Sequence, residues 1–98
     1  MQIIIKGRNV EVPEDLHAYI EDKVGSVFEN NLKEPTVCDV VLADENGPKG
    51  GLDRLVHITC NIPNIKNPVY VAESSEDYYK TIDLAADKLK RAFHNARR

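Results

Sequence analysis

The stretch SSEDYYKTIDLAADKLKRAFHNARR, residues 74–98, decides the fold. Tyr78, Ile82, Ala85, Ala86, Leu89 and Phe93 recur at i, i+4, i+7, i+8, i+11 and i+15. That is the spacing of one apolar stripe along an amphipathic helix. Lys80, Asp87, Arg91, His94 and Arg98 fall on the opposite side, with Lys88, Lys90 and Arg97 along its flanks. Ser74 or Ser75 is expected to cap the start, placing Glu76 and Asp77 in the first turn, where carboxylates suit the helix dipole. Ser74 and Asp77 together read as a variant capping box. No Gly or Pro interrupts the run.

Working back from this helix, residues 69–73 read as a strand and residues 63–68 as a turn-rich connection. Residues 54–62 alternate, with Val56, Ile58, Cys60 and Ile62 facing in and Leu55, His57, Thr59 and Asn61 facing out. Residues 44–53 hold three Gly and one Pro and are expected to form a mobile loop. Residues 36–43 make another strand, with Cys38, Val40 and Leu42 inward. Pro13, Glu14 and Asp15 signal a helix start. From there Leu16, Ile20, Val24, Val27 and Asn31 line one side, flanked by Tyr19, Lys23 and Phe28. Ala18, Asp22, Gly25 and Glu29 lie opposite, and residues 30–35 end the helix. Residues 2–6, with three consecutive isoleucines, form the opening strand, closed by Gly7-Arg8-Asn9.

The order is β-α-β-β-β-α. Short or turn-rich links make strands two to four an antiparallel meander, while the first helix is the crossover that lets strand one run parallel to a neighbour. The fold class is therefore α+β: a two-layer sandwich whose four-stranded mixed sheet carries two helices on one face and leaves the other face wet. Ninety-eight residues make a single domain over 1–98.

Composition excludes several functions. No apolar segment approaches the roughly 20 residues needed to span a bilayer, and no signal-peptide core opens the chain, so a cytoplasmic protein is expected. Cys38 and Cys60 sit in apolar strand runs and read as buried free thiols, a disulfide or redox role being the alternative. His17, His57 and His94 lie at no metal-ligand spacing from one another or from Cys. Phosphate-cradling and nucleophile motifs are absent, and paired carboxylates such as Glu14-Asp15 and Glu21-Asp22 read as helix-start and surface residues. No enzyme, cofactor, metal or small-molecule substrate is expected.

Charge gives the positive signal. The net charge is −3, yet residues 80–98 carry six Lys/Arg against two Asp, giving +4. The preceding residues carry seven basic against fourteen acidic side chains, giving −7. Beyond about 8 Å charges are screened at physiological salt, so the local field decides what a surface attracts. A solvated helix face stabilised by pairs such as Asp87–Arg91 is the plainer explanation for the same residues.

Two segments resemble the ribosome hibernation promoting factor family, also called ribosome-associated translation inhibitors. The opening Ile5-Lys6-Gly7-Arg8-Asn9-Val10-Glu11-Val12 resembles that family's I-x-G-x-N-x-E-[IV] start. The second helix, Asp77-x-Tyr79-x-x-Ile82-Asp83-x-x-x-Asp87-Lys88-Leu89-x-Arg91, is similar to its D-M-Y-x-A-I-D-x-x-x-D-K-L-x-R-Q segment. The likeness implies docking on the small ribosomal subunit across the tRNA and mRNA paths, so that idle or stressed cells hold ribosomes out of translation. It also implies basic side chains resting on ribosomal RNA. Lys23, Lys88, Arg91 and Arg97 occupy family-like basic positions, and Arg8 follows the opening glycine. Lys80, Lys90 and Arg98 join them from helix geometry alone. His17, Ser26 and Asn95 replace frequent basic residues, Ala92-Phe93 replaces Gln-Leu and Tyr78 replaces Met, leaving the first helix less basic than in the family. The chain is expected to be monomeric off the ribosome. The alternatives are a generic double-stranded-RNA-binding module and a protein-interaction domain using the open sheet face near Leu55, His57 and Tyr70.

Overall fold

Alternating apolar residues in four segments and two amphipathic runs give the computed structural model its two layers. The structure describes residues 1–29, 37–46 and 52–96. The elements are β1 (Gln2–Arg8), α1 (Glu14–Val27), β2 (Val37–Asn46), β3 (Leu52–Asn61), β4 (Val69–Ser75) and α2 (Tyr78–Ala96). Sheet order is β1-β2-β3-β4, with β1 parallel to β2 and the other neighbours antiparallel. The expected crossover and meander are both present.

The pleat sends Ile3 and Ile5, then Cys38, Val40 and Leu42, then Val56, Ile58 and Cys60, then Val69 and Val71 to one face. Leu16, Ile20, Val24 and Val27 of α1 and Ile82, Ala85, Ala86, Leu89 and Phe93 of α2 cover that face. Each large side chain so buried contributes about 1.5–3 kcal/mol. Phe28, expected on a flank, is instead only 1% exposed. It caps α1 and meets the Phe93 ring edge-on at 4.8 Å between centroids. The helices run side by side in the same direction, as the successive contacts Tyr19–Tyr79, Lys23–Asp83 and Phe28–Phe93 require.

Three expectations need correction. The loop expected over residues 44–53 begins and ends in ladder, because Asp44 pairs with Arg54, Glu45 with Asp53 and Asn46 with Leu52. The Arg54–Asp44 ion pair at 2.7 Å joins the first of these facing positions, and residues 47–51 lie outside the described residues. Second, Ser74 and Ser75 do not cap α2; they stay extended in β4 opposite Leu55 and Arg54. Asp77 is the cap, its carboxylate accepting the Tyr79 N–H at 3.2 Å and its carbonyl the Thr81 N–H at 2.9 Å. Third, Cys38 and Cys60 are not free thiols but a disulfide. The β2–β3 register sets them directly opposite with Cα atoms 4.2 Å apart, close to the roughly 4.5 Å of a non-hydrogen-bonded antiparallel pair.

The opening motif has a steric reason. A Cβ on Gly7 would come within 2.1 Å of the Val10 carbonyl oxygen, so the chain turns back here only over glycine. Asn9 follows in the left-handed region at φ 59°, which Asn tolerates better than most residues.

Candidate functional site

The buried stripe of α2 fixes which residues point outward. Lys80, Lys88, Lys90 and Arg91 are all exposed along α2, and Lys23 of α1 is half-buried beside them. None of these five cations is sequestered in the core. Arg97 and Arg98 lie outside the described residues.

Their partners divide them. Lys23 Nζ lies 3.6 Å from Asp83 Oδ1 and 5.6 Å from the centre of the Tyr19 ring. The same Asp83 oxygen accepts a hydrogen bond from the Tyr19 hydroxyl at 2.5 Å. That bond, with burial and the Asp83 charge, pushes the Tyr19 phenol up to about 12. Lys88 reaches across the β4 edge to Glu73 Oε2 at 3.7 Å and lies 3.4 Å from the Ala72 carbonyl oxygen. Lys80 pairs with Glu76 at 3.3 Å, one helical turn back. Glu76 is held below the usual carboxylate range, first by its own backbone N–H and then by Lys80. Lys90 and Arg91 have no carboxylate partner among the described residues, and the Asp87–Arg91 pair does not form.

Exposed pairs of this kind contribute about 0–1 kcal/mol, so a phosphate can replace the carboxylate at small cost. Between the helices lies a groove of about 370 Å³ lined by Lys23, Ser26, Asp83, Asp87 and Lys90. One side of the molecule therefore gathers five of the eight expected contact residues. Arg8 stands apart: the β1 pleat that turns Ile3 and Ile5 into the core carries Lys6 and Arg8 to the open sheet face.

The surface can offer ammonium and guanidinium groups to phosphates. Among the described residues no three His, Cys, Asp or Glu are grouped to hold a metal ion, and no helix is long and apolar enough to cross a membrane. The contributions of Glu73 and Asp83 were not legible beforehand, because their lysines lie 15 residues and 60 residues away in sequence. The Glu76–Lys80 pair carried a signal, its i, i+4 spacing.

The family model for sigma 54 modulation protein / S30EA ribosomal protein matches residues 3–98, and the chain belongs to that family. Its members are binding proteins rather than enzymes. The chain is 34% identical over 91 residues to the ribosome hibernation promoting factor of Pseudomonas putida, covering 93% of this chain and 81% of that one. It is 29% identical to the ribosome hibernation promotion factor of Picosynechococcus, where 93% of this chain spans only 46% of the longer relative. In fold it is similar to a ribosomal subunit interface protein from Coxiella burnetii, with a TM-score of 0.85 at 21% identity over 99% of this chain and 98% of that one.

Proposed function

We propose that residues 1–98 form one ribosome-binding domain that acts without catalysis in ribosome hibernation, in the cytoplasm. The domain docks on the small subunit through Lys23, Lys80, Lys88, Lys90 and Arg91 set against ribosomal RNA phosphates, with Arg97 and Arg98 continuing the same basic run. Bound there, it occupies the tRNA and mRNA paths and keeps the ribosome idle. Arg8 reaches RNA only where the subunit also wraps the open sheet face. The observation that carries this reading is the gathering of solvent-facing cations on α2 and beside it, in a chain whose relatives are named for ribosome hibernation.

Such contacts position the protein without reading bases. With about six phosphates engaged, affinity should fall roughly a thousandfold between about 50 and 200 mM salt. The test is sedimentation of the purified chain with isolated small subunits, with and without initiator tRNA. The protein should pellet with small subunits and be displaced by the tRNA. Equal pelleting with large subunits, or indifference to tRNA, would contradict the proposed position.

A further inference from the structure

Cys38 and Cys60 take no part in the cationic surface, and their disulfide lies deep in the sandwich. Both residues are fully buried. In the register the pair stands in one row across the whole sheet, with Ile3 of β1 beside Cys38 and Val69 of β4 beside Cys60. All four belong to the apolar layer beneath the helices, and the Met1 thioether sits 4.0 Å from Cys38 Sγ.

Thiol–disulfide exchange begins when a thiolate attacks one sulfur, forms a mixed disulfide and releases the other sulfur as a thiolate. A second small thiol then attacks the mixed disulfide. Two small thiols thus end as one small disulfide, and the protein gains two thiols. The intermediate carries a glutathione-sized group on Cys38 or Cys60, and a close-packed core holds no space for one. Oxidation of the reduced pair by a small disulfide passes through the same intermediate and meets the same obstacle. Neither form needs the other to fold, because the remaining β2–β3 pairs set the register and a buried thiol behaves as a small apolar side chain.

We propose that Cys38 and Cys60 form a sealed redox latch, whose oxidation state is set while the chain is unfolded and kept for the life of the folded molecule. Small thiols and disulfides exchange with it only when the sandwich opens. Oxidised and reduced molecules coexist as separate populations that present the same outer side of α2 and differ in how often they unfold. A molecule folded under oxidising conditions keeps its added stability after the surroundings turn reducing.

Oxidised protein is incubated with excess reduced glutathione across a series of denaturant concentrations and quenched with iodoacetamide, and alkylated cysteines are counted by mass spectrometry. Without denaturant neither cysteine should be alkylated over an interval in which both are alkylated above the unfolding midpoint. Between these limits reduction should rise with denaturant and never outrun the unfolding rate followed by circular dichroism. Reduction faster than unfolding, or at one rate with and without denaturant, would overturn the latch. The reverse step is tested on wild-type protein refolded in excess thiol and then freed of it. An aromatic disulfide reagent should label its cysteines no faster than the molecule unfolds. Immediate labelling of the folded, reduced protein would overturn the proposal equally.

Discussion

Single side chains on this protein do more than their type suggests when they meet across elements. Tyr19 touches three groups at once: its hydroxyl donates to Asp83, its face lies below Lys23 and its ring meets that of Tyr79 edge-on at 5.0 Å between centroids. Tyr78 donates to Asp44, which also holds Arg54, and burial first and Asp44 second push that phenol above its ordinary range. Both phenols act in their protonated form. For Tyr19 the contribution is complete below the unfolded value near 10 and is lost as pH rises through about 12. An alkaline absorbance titration should therefore show late ionisation from Tyr19 and Tyr78, and Tyr78→Phe should delete one of the late steps. A titration complete near pH 10 would contradict both contacts. On the acid side Asp44 behaves oppositely. The Tyr78 hydroxyl, and then Arg54, hold its carboxyl below the usual range, so its contribution is present above about 3.8 and fades as pH falls through the lower folded value.

At the scale of elements, the β2–β3 ladder is the longest pairing among the described strands, with ten facing residue pairs and a disulfide between two of the facing residues. A disulfide closing a 22-residue separation stabilises a domain by about 3 kcal/mol. Reduction should lower the denaturant midpoint accordingly while the circular dichroism spectrum below it stays unchanged. Identical unfolding curves with and without reductant would show that the bond is not formed. The order of elements was legible in the sequence, since Ile20, Val24, Ile58 and Leu89 belong to runs whose period declares helix or strand. The disulfide was not, because facing across a ladder depends on register, and neither Cys38 nor Cys60 reveals its opposite number. The α2 cap is hidden for a similar reason: Ser74 and Ser75 are good caps locally, but pairing with β3 keeps them extended. The buried Thr81, 3.0 Å from the Arg54 carbonyl oxygen, then ties the helix start to that strand.

Across the whole molecule the charges are unevenly distributed, with exposed Asp83 and Asp87 set among the cations of α2. The exposed residues of α1 include Glu14, Asp15, Glu21 and Asp22, with Glu29 just past its end and Lys23 alone opposing them, while α2 presents Lys80, Lys88, Lys90 and Arg91. The outer face of α2 is thus less repulsive to a polyanion than the outer side of α1. The basic residues of the site were legible as types and as a helix face. Their pairing with Glu73 and Asp83 was not, because it follows from how α2 is laid over β4 and α1. The most direct measurement of the central claim is co-sedimentation of the Lys88→Glu, Arg91→Glu variant with small ribosomal subunits, beside the wild type at equal salt. The wild type should pellet with the subunits while the variant, with an unchanged melting curve, stays in the supernatant. A variant that pellets as fully as the wild type would contradict binding through α2.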